Sequence, residues 1–293
     1  MDTIVVIADK LGGKNIALAR ALSLQKETGA DIALLGFCYT NLNNLDDSDL
    51  ASNGPEDLKA SLIEHRQQQL NELIKSSASP HTVTTTALWG KDISSDIINY
   101  CKHHPVSMVI KSANRSETFL YTPTDWQLLR ECPAPVLITA QKSWKKKAHI
   151  LAALDFSTTD KSKMQLNHKI MAHAQSLASA LDNVVHIAFS LSIPQPLVDM
   201  DIIDSRTHAQ KKRKRLQPTI DAFCQQYGIS KEQLHIKQGP ADKVIASIAK
   251  ALKADLVVTG TVGRKGIKGK IMGNTAEGIL SHIRTDILAI KPD

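Results

Sequence analysis

The stretch Thr259-Gly-Thr-Val-Gly-Arg-Lys-Gly-Ile-Lys-Gly-Lys-Ile-Met-Gly-Asn-Thr-Ala-Glu-Gly-Ile-Leu280 holds six of the fourteen glycines in this 293-residue chain. It follows Asp255-Leu256-Val257-Val258, an apolar run that reads as a buried strand. It leads into Asn274-Thr275-Ala276-Glu277, an N-cap candidate with glutamate three residues on. A strand ends, a glycine-rich loop follows and a helix begins. That order makes an anion cradle, because glycines admit close backbone approach and free N–H groups at a helix start carry partial positive charge. Arg264, Lys265, Lys268 and Lys270 add formal charge. The competing reading is a basic loop with no ligand.

Working outward, the same strand-then-helix alternation runs through the whole chain, and it runs twice. Ile4–Ala8, Asp31–Tyr39, His81–Leu88, Val106–Ile110 and Ala134–Thr139 read as strands, with helical rhythm between them. The order restarts with a strand at His149–Leu154, then Asn183–Ser190, Gln233–Gln238, Asp255–Thr259 and Asp286–Lys291. Strand-helix alternation predicts an α/β fold: two tandem doubly wound domains, each with a five-stranded parallel sheet and right-handed crossovers. The expected domains are 1–142 and 148–293, joined by a basic connector at Lys142 to Ala148. Landmarks align between the halves: Asp9 with Asp155, Gly90 with Gly239, and Thr122-Pro-Thr-Asp-Trp126 with Gly273-Asn-Thr-Ala-Glu277. Thr122 can cap its helix with Asp125 completing a capping box, and Pro218 is expected to kink or divide a long helix at Ser205–Tyr227.

The halves differ after their fourth strands. The first reads Lys111-Ser-Ala-Asn-Arg-Ser-Glu-Thr-Phe-Leu-Tyr121, three residues shorter and without glycine. A phosphate cradle needs backbone approach, so the first domain is expected to have a degenerate ligand loop.

Composition narrows the class. The formal net charge is +7, which permits anionic partners without requiring them. The run Lys211-Lys212-Arg213-Lys214-Arg215 has no interleaved aromatics and reads as a solvated helix face, so nucleic acid is not the expected partner. The start of the chain has no basic region ahead of its apolar run, and no apolar stretch reaches membrane-spanning length, so a cytoplasmic protein is expected. The four cysteines are scattered without metal spacing and read as buried thiols. No nucleophile elbow, Walker lysine pattern or HExxH motif occurs, so no catalytic residue and no metal site is assigned.

Gly260, two residues, Gly263, nine residues, Gly273 and a small polar residue resembles the nucleotide loop of the universal stress protein family, which ends in Ser or Thr where this chain has Asn274. Asn can cap a helix and donate from its amide, but it lacks the hydroxyl. With the duplication and the run Thr122 to Val136, the likeness is to tandem members and covers nearly the whole chain. The resemblance implies a stress-response regulator that binds an adenine nucleotide, ATP with Mg, or a similar anionic ligand in the second domain. It implies that Asp155 lies near the adenosine, that the backbone at about Ser190 meets adenine, and that Gly260, Gly263, Gly273 and Asn274 hold phosphates; Arg264, from its place in the loop, and Thr275 are further phosphate candidates. It also implies an internal pseudo-dimer of the two domains, with further homodimerisation open. Two alternatives stand beside ATP binding: an apolar or lipid-like ligand, for which the first half is the expected cavity, and a weak ATPase switch.

Overall fold

The structure, a computed structural model, describes residues 3–10, 12–42, 54–75, 82–113, 123–140, 143–192, 204–261, 278 and 285–292. The chain separates into two compact units, Met1–Gln141 and Lys142–Asp293.

In the first unit the strands are β1 (Thr3–Ile7), β2 (Asp31–Cys38), β3 (Val83–Trp89), β4 (Val106–Ser112) and β5 (Val136–Thr139). They lie in the order β3-β2-β1-β4-β5, with parallel pairing throughout. Four helices connect them: α1 (Ile16–Thr28), α2 (Gly54–Lys75), α3 (Ile93–His103) and α4 (Pro123–Glu131). The central strands are almost continuously apolar because helices cover both faces of a parallel sheet; Val5, Val6, Val109 and Ile110 are wholly buried. Helix α1 stops at Gly29, which takes the left-handed conformation at φ 71° that ends many helices. Helix α3 starts on Asp92, whose carboxylate accepts the Ser95 N–H at 3.1 Å. The outer strand β3 is guarded by α2: the Gln67 amide accepts the Ala87 N–H at 2.8 Å and donates to the Thr85 hydroxyl at 2.7 Å. Those bonds occupy backbone and side-chain groups that an open sheet edge would offer to another chain.

The second unit repeats the pattern with β6 (His149–Leu154), α5 (Lys161–Leu181), β7 (Val184–Leu191), α6 (Ser205–Tyr227), β8 (Leu234–Gln238), α7 (Ala241–Leu252), β9 (Leu256–Gly260) and β10 (Asp286–Ile290). Its order is β10-β9-β6-β7-β8, again parallel, so strand for strand the topology matches the first unit. Asp160 and Asp204 cap α5 and α6 through bonds to Ser162 N and Thr207 N, and Gly228 closes α6 at φ 64°. Helix α6 runs unbroken through Pro218, contrary to the expected division. Pro218 is exposed, so water can satisfy the carbonyl that loses its N–H partner. Residues Lys211, Arg213, Lys214 and Arg215 are exposed on the same helix, and Lys212 donates to the Ser192 carbonyl at 3.1 Å.

Candidate functional site

In each unit the strand order reverses at the first strand, and α/β sheets take ligands beyond the carboxyl ends of the strands flanking that reversal. The second unit has a cavity there of about 250 Å3. The end of β6 supplies Ala153, Leu154 and Asp155; the end of β7 supplies Phe189 and Ser190; the end of β9 supplies Thr259 and Gly260. Helix α5 closes one wall with Leu166 and Ile170, and Ile245 of α7 closes another. The walls are therefore apolar while the mouth is polar.

Asp155 sits exposed at that mouth. Its carboxylate accepts from Ser157 N at 2.9 Å and from the Ser157 hydroxyl at 2.5 Å, a turn made on its own loop. Its backbone is fixed from α5: the Asp155 N–H donates to Asn167 Oδ1 at 3.1 Å and Asn167 Nδ2 donates to the Asp155 carbonyl at 2.9 Å. The sequence reading missed Asn167, since nothing local marks a mid-helix asparagine as the clamp of a loop twelve residues earlier. Ser190 is buried and its hydroxyl donates to the Gly239 carbonyl at 2.6 Å, which ties the ends of β7 and β8 together.

Gly260 has ordinary strand geometry rather than the positive φ that would itself require glycine. Its need is for space: a Cβ built there would lie 2.5 Å from Leu166 Cδ2 and 3.4 Å from Ile170 Cδ1. The last position of the strand is bare because α5 packs onto it. Asp155, Ser190 and Gly260 are thus brought to one cavity from three strands. Gly263, Arg264, Gly273, Asn274 and Thr275 lie outside the described residues.

Strand register gives the first-unit counterparts without any sequence alignment. Ile7 pairs with Leu35 and Lys111 as Ala153 pairs with Ala188 and Thr259. Asp9 therefore stands where Asp155 stands, Phe37 where Ser190 stands, Lys111 where Thr259 stands and Ser112 where Gly260 stands. These substitutions close the crevice from within. The Ser112 hydroxyl accepts the Ala17 N–H at 2.9 Å and donates to Asp9 Oδ2 at 3.0 Å, and the same carboxylate oxygen accepts the Ile16 N–H at 3.1 Å. The opening N–H groups of α1, which would face an anion, are bonded to the chain's own side chains. Lys111 is buried and pairs with Asp125 of α4 at 2.6 Å. Asp125 thus has a partner beyond the capping role read from sequence; Thr122, its expected capping companion, lies outside the described residues. A cavity of about 250 Å3 is also present in this unit, on the α2 side, where Ala8, Leu70 and Leu73 line it together with Asp9, Lys10, Arg66 and Glu72.

Away from the cavities, the second unit carries a ladder of three imidazoles. His149 Nδ1 lies 3.0 Å from His186 Nε2, and His186 Nδ1 lies 3.0 Å from His235 Nε2. Burial pushes the central His186 down to about 4, with the two neighbouring imidazoles adding to the effect. Cys101 and Cys132 are both buried in the first unit with sulfurs 3.8 Å apart; the contact with Cys132 and burial hold the Cys101 thiol well above its ordinary range. No helix among the described residues is long and apolar enough to cross a membrane.

A model of the universal stress protein family matches residues 1–140 and, a second time, residues 148–291. Over 301 residues the chain is 30% identical to the universal stress protein E homolog of Haemophilus influenzae, covering 99% of this chain and 97% of that protein. It is 33% identical to universal stress protein E of Escherichia coli K12 over 192 residues, which spans 64% of this chain and 61% of that protein. Among solved structures, a Pseudomonas aeruginosa PAO1 protein of unknown function superposes with a TM-score of 0.76 at 26% identity, covering 100% of this chain and 93% of that one. A universal stress protein from Archaeoglobus fulgidus shares the fold at a TM-score of 0.67 and 17% identity, covering 99% of this chain and 98% of that one.

Proposed function

This chain belongs to the universal stress protein family, and from that premise we propose that it is a stress-response regulator of the cytoplasm, working by binding rather than turnover. Its ligand is an adenine nucleotide, or a molecule of similar anionic character, held by the second unit. One observation carries this reading: Asp155, Ser190 and Gly260, on three separate strands, line one cavity at the point where the strand order reverses.

The cavity fits the base and ribose in kind. Its apolar walls, Leu166, Ile170, Phe189 and Ile245, suit a flat base, and Asp155 at the mouth can accept from ribose hydroxyls once its turn with Ser157 opens. The backbone beside Ser190 is the edge available to adenine. In this reading the phosphates, with any Mg, fall to Gly260 and to Gly263, Arg264, Gly273, Asn274 and Thr275 of the glycine loop. The first unit has no such role in this reading, since Ser112, Lys111 and Phe37 occupy the corresponding positions.

Native mass spectrometry of gently purified protein, with and without ATP and magnesium, tests the reading. A bound mass of ATP size is expected, and it should vanish in Gly263→Asp and weaken in Asp155→Ala. A spectrum that ATP does not alter refutes it. The apolar walls also support a second reading, a small apolar ligand in the same cavity; a copurified apolar mass that ATP fails to displace favours it.

A further inference from the structure

Arg66 of α2 is 8% exposed, yet no carboxylate among the described residues forms an ion pair with it. Its guanidinium makes two bonds: Nη2 donates to the Asp9 carbonyl at 2.8 Å and Nη1 reaches Gln69 Oε1 at 3.4 Å. The third donor, Nε, is buried without a hydrogen-bond partner. Burial pulls the Arg66 pKa down from its usual value, and the nearby Cys38 thiol and Asp9 carboxylate, neither of them in ion-pair contact, offset that only in part. Bracing the loop after β1 explains Nη2 alone; a methionine would fill the same volume without the desolvation.

The sheet is shaped to admit this group. Gly36 lies inside β2, where glycine weakens a strand, and a Cβ built on it would come 2.9 Å from Arg66 Nε and 2.8 Å from Leu70 Cδ1. By strand register the second unit has Phe189 at this position, packed edge-on against Phe156. The glycine floor therefore has no counterpart at this register position of the second unit. Arg66 borders the 250 Å3 cavity of the first unit, with the exposed Lys10 beside it. Two carboxylates also line this cavity: one Asp9 oxygen is engaged by Ile16 N and the Ser112 hydroxyl, and Glu72 is exposed at the rim.

We propose that the first unit holds a second ligand site, in which the buried guanidinium of Arg66, floored by Gly36 and flanked by Lys10, binds a small oxyanion: a phosphate or a carboxylate group. A planar donor fork whose Nε has no partner matches either, and a charge-assisted bond from the oxyanion would supply an acceptor to the guanidinium. The site is independent of the nucleotide reading for the second unit.

The nine arginines of the chain make side-chain Nε–H NMR practical. The Arg66 signal is identified by its loss in Arg66→Lys, and the full-length protein is titrated separately with inorganic phosphate and with acetate. A saturable shift of that signal is expected, unchanged in Gly263→Asp, with affinity falling about tenfold or more in Arg66→Gln, the scale of one charge-assisted bond. Lys10→Ala, an exposed change that leaves the core alone, should weaken binding several-fold. A response to phosphate alone identifies a phosphate site, and a response to both identifies a general oxyanion site. The proposal is overturned if neither anion moves the Arg66 signal at tens of millimolar. It is equally overturned if phosphate binding persists in Arg66→Gln and disappears in Gly263→Asp, which would place it in the second unit.

Discussion

Replacing Gly260 by alanine separates two reasons for a glycine in a ligand loop. If the residue is bare because a ligand approaches the backbone, the ligand-free protein should tolerate a methyl group. The packing says otherwise, since the new Cβ would sit 2.5 Å from Leu166 Cδ2 and 3.1 Å from Leu166 Cγ. Forcing one methyl against the packed Leu166 side chain costs roughly 1–3 kcal/mol. The lower flexibility of alanine in the unfolded chain offsets about 0.4–1 kcal/mol of that, and no positive φ adds strain. A net loss of about 1–2 kcal/mol remains. For a unit of some 150 residues this lowers the melting temperature by roughly 3–7 °C. Calorimetry and urea unfolding of the ligand-free protein read it directly. Leu166→Ala alone opens a hole and should cost about 2–5 kcal/mol. In the double variant the methyl added at position 260 partly fills that hole, so the two losses should fall short of additive by about 1 kcal/mol or more. Unchanged ligand-free stability in Gly260→Ala, with additive behaviour in the pair, would refute the packing argument and return the glycine to the ligand.

Lys111→Met leaves the Asp125 carboxylate buried opposite an apolar chain and should destabilise the first unit by about 3–5 kcal/mol, whereas Lys111→Met with Asp125→Leu should recover most of the loss in urea unfolding. His186 is held neutral in the folded state, down to about 4 against an ordinary 6.5, so its contribution is complete above pH 6.5 and is lost as pH falls towards 4. The unfolding midpoint of the second unit should therefore drop across that window, and His186→Phe should flatten the dependence; an identical pH profile in the variant would discount the ladder. Asn167→Leu strips two partners from the Asp155 backbone and should reduce nucleotide affinity in equilibrium dialysis while leaving the Arg66 signal unmoved.

Fold class, its duplication and the half that carries the glycine loop were legible in residue order alone. Those features rest on local chemistry: apolar runs of strand length, caps such as Asp160 and Asp204, and stops such as Gly29 and Gly228 act within a few residues of themselves. The resemblance to the family nominates Asp155, Ser190 and Gly260, in agreement with the rule that α/β ligands gather beyond strand ends. Tertiary structure alone decided what those residues touch. That Ser190 spends its hydroxyl on Gly239, that Gly260 makes room for Leu166, and that Asn167 holds Asp155 all depend on distant segments meeting across the sheet. The same holds for the first unit. Lys111 and Asp125 read separately as a strand residue and a helix-cap partner, and only packing made them a buried ion pair where the second unit opens a cavity. Gly36 and Arg66 are thirty residues apart and carry no shared pattern. Their juxtaposition follows from the pairing of β1 with β2 and the seating of α2, which sequence periodicity does not encode.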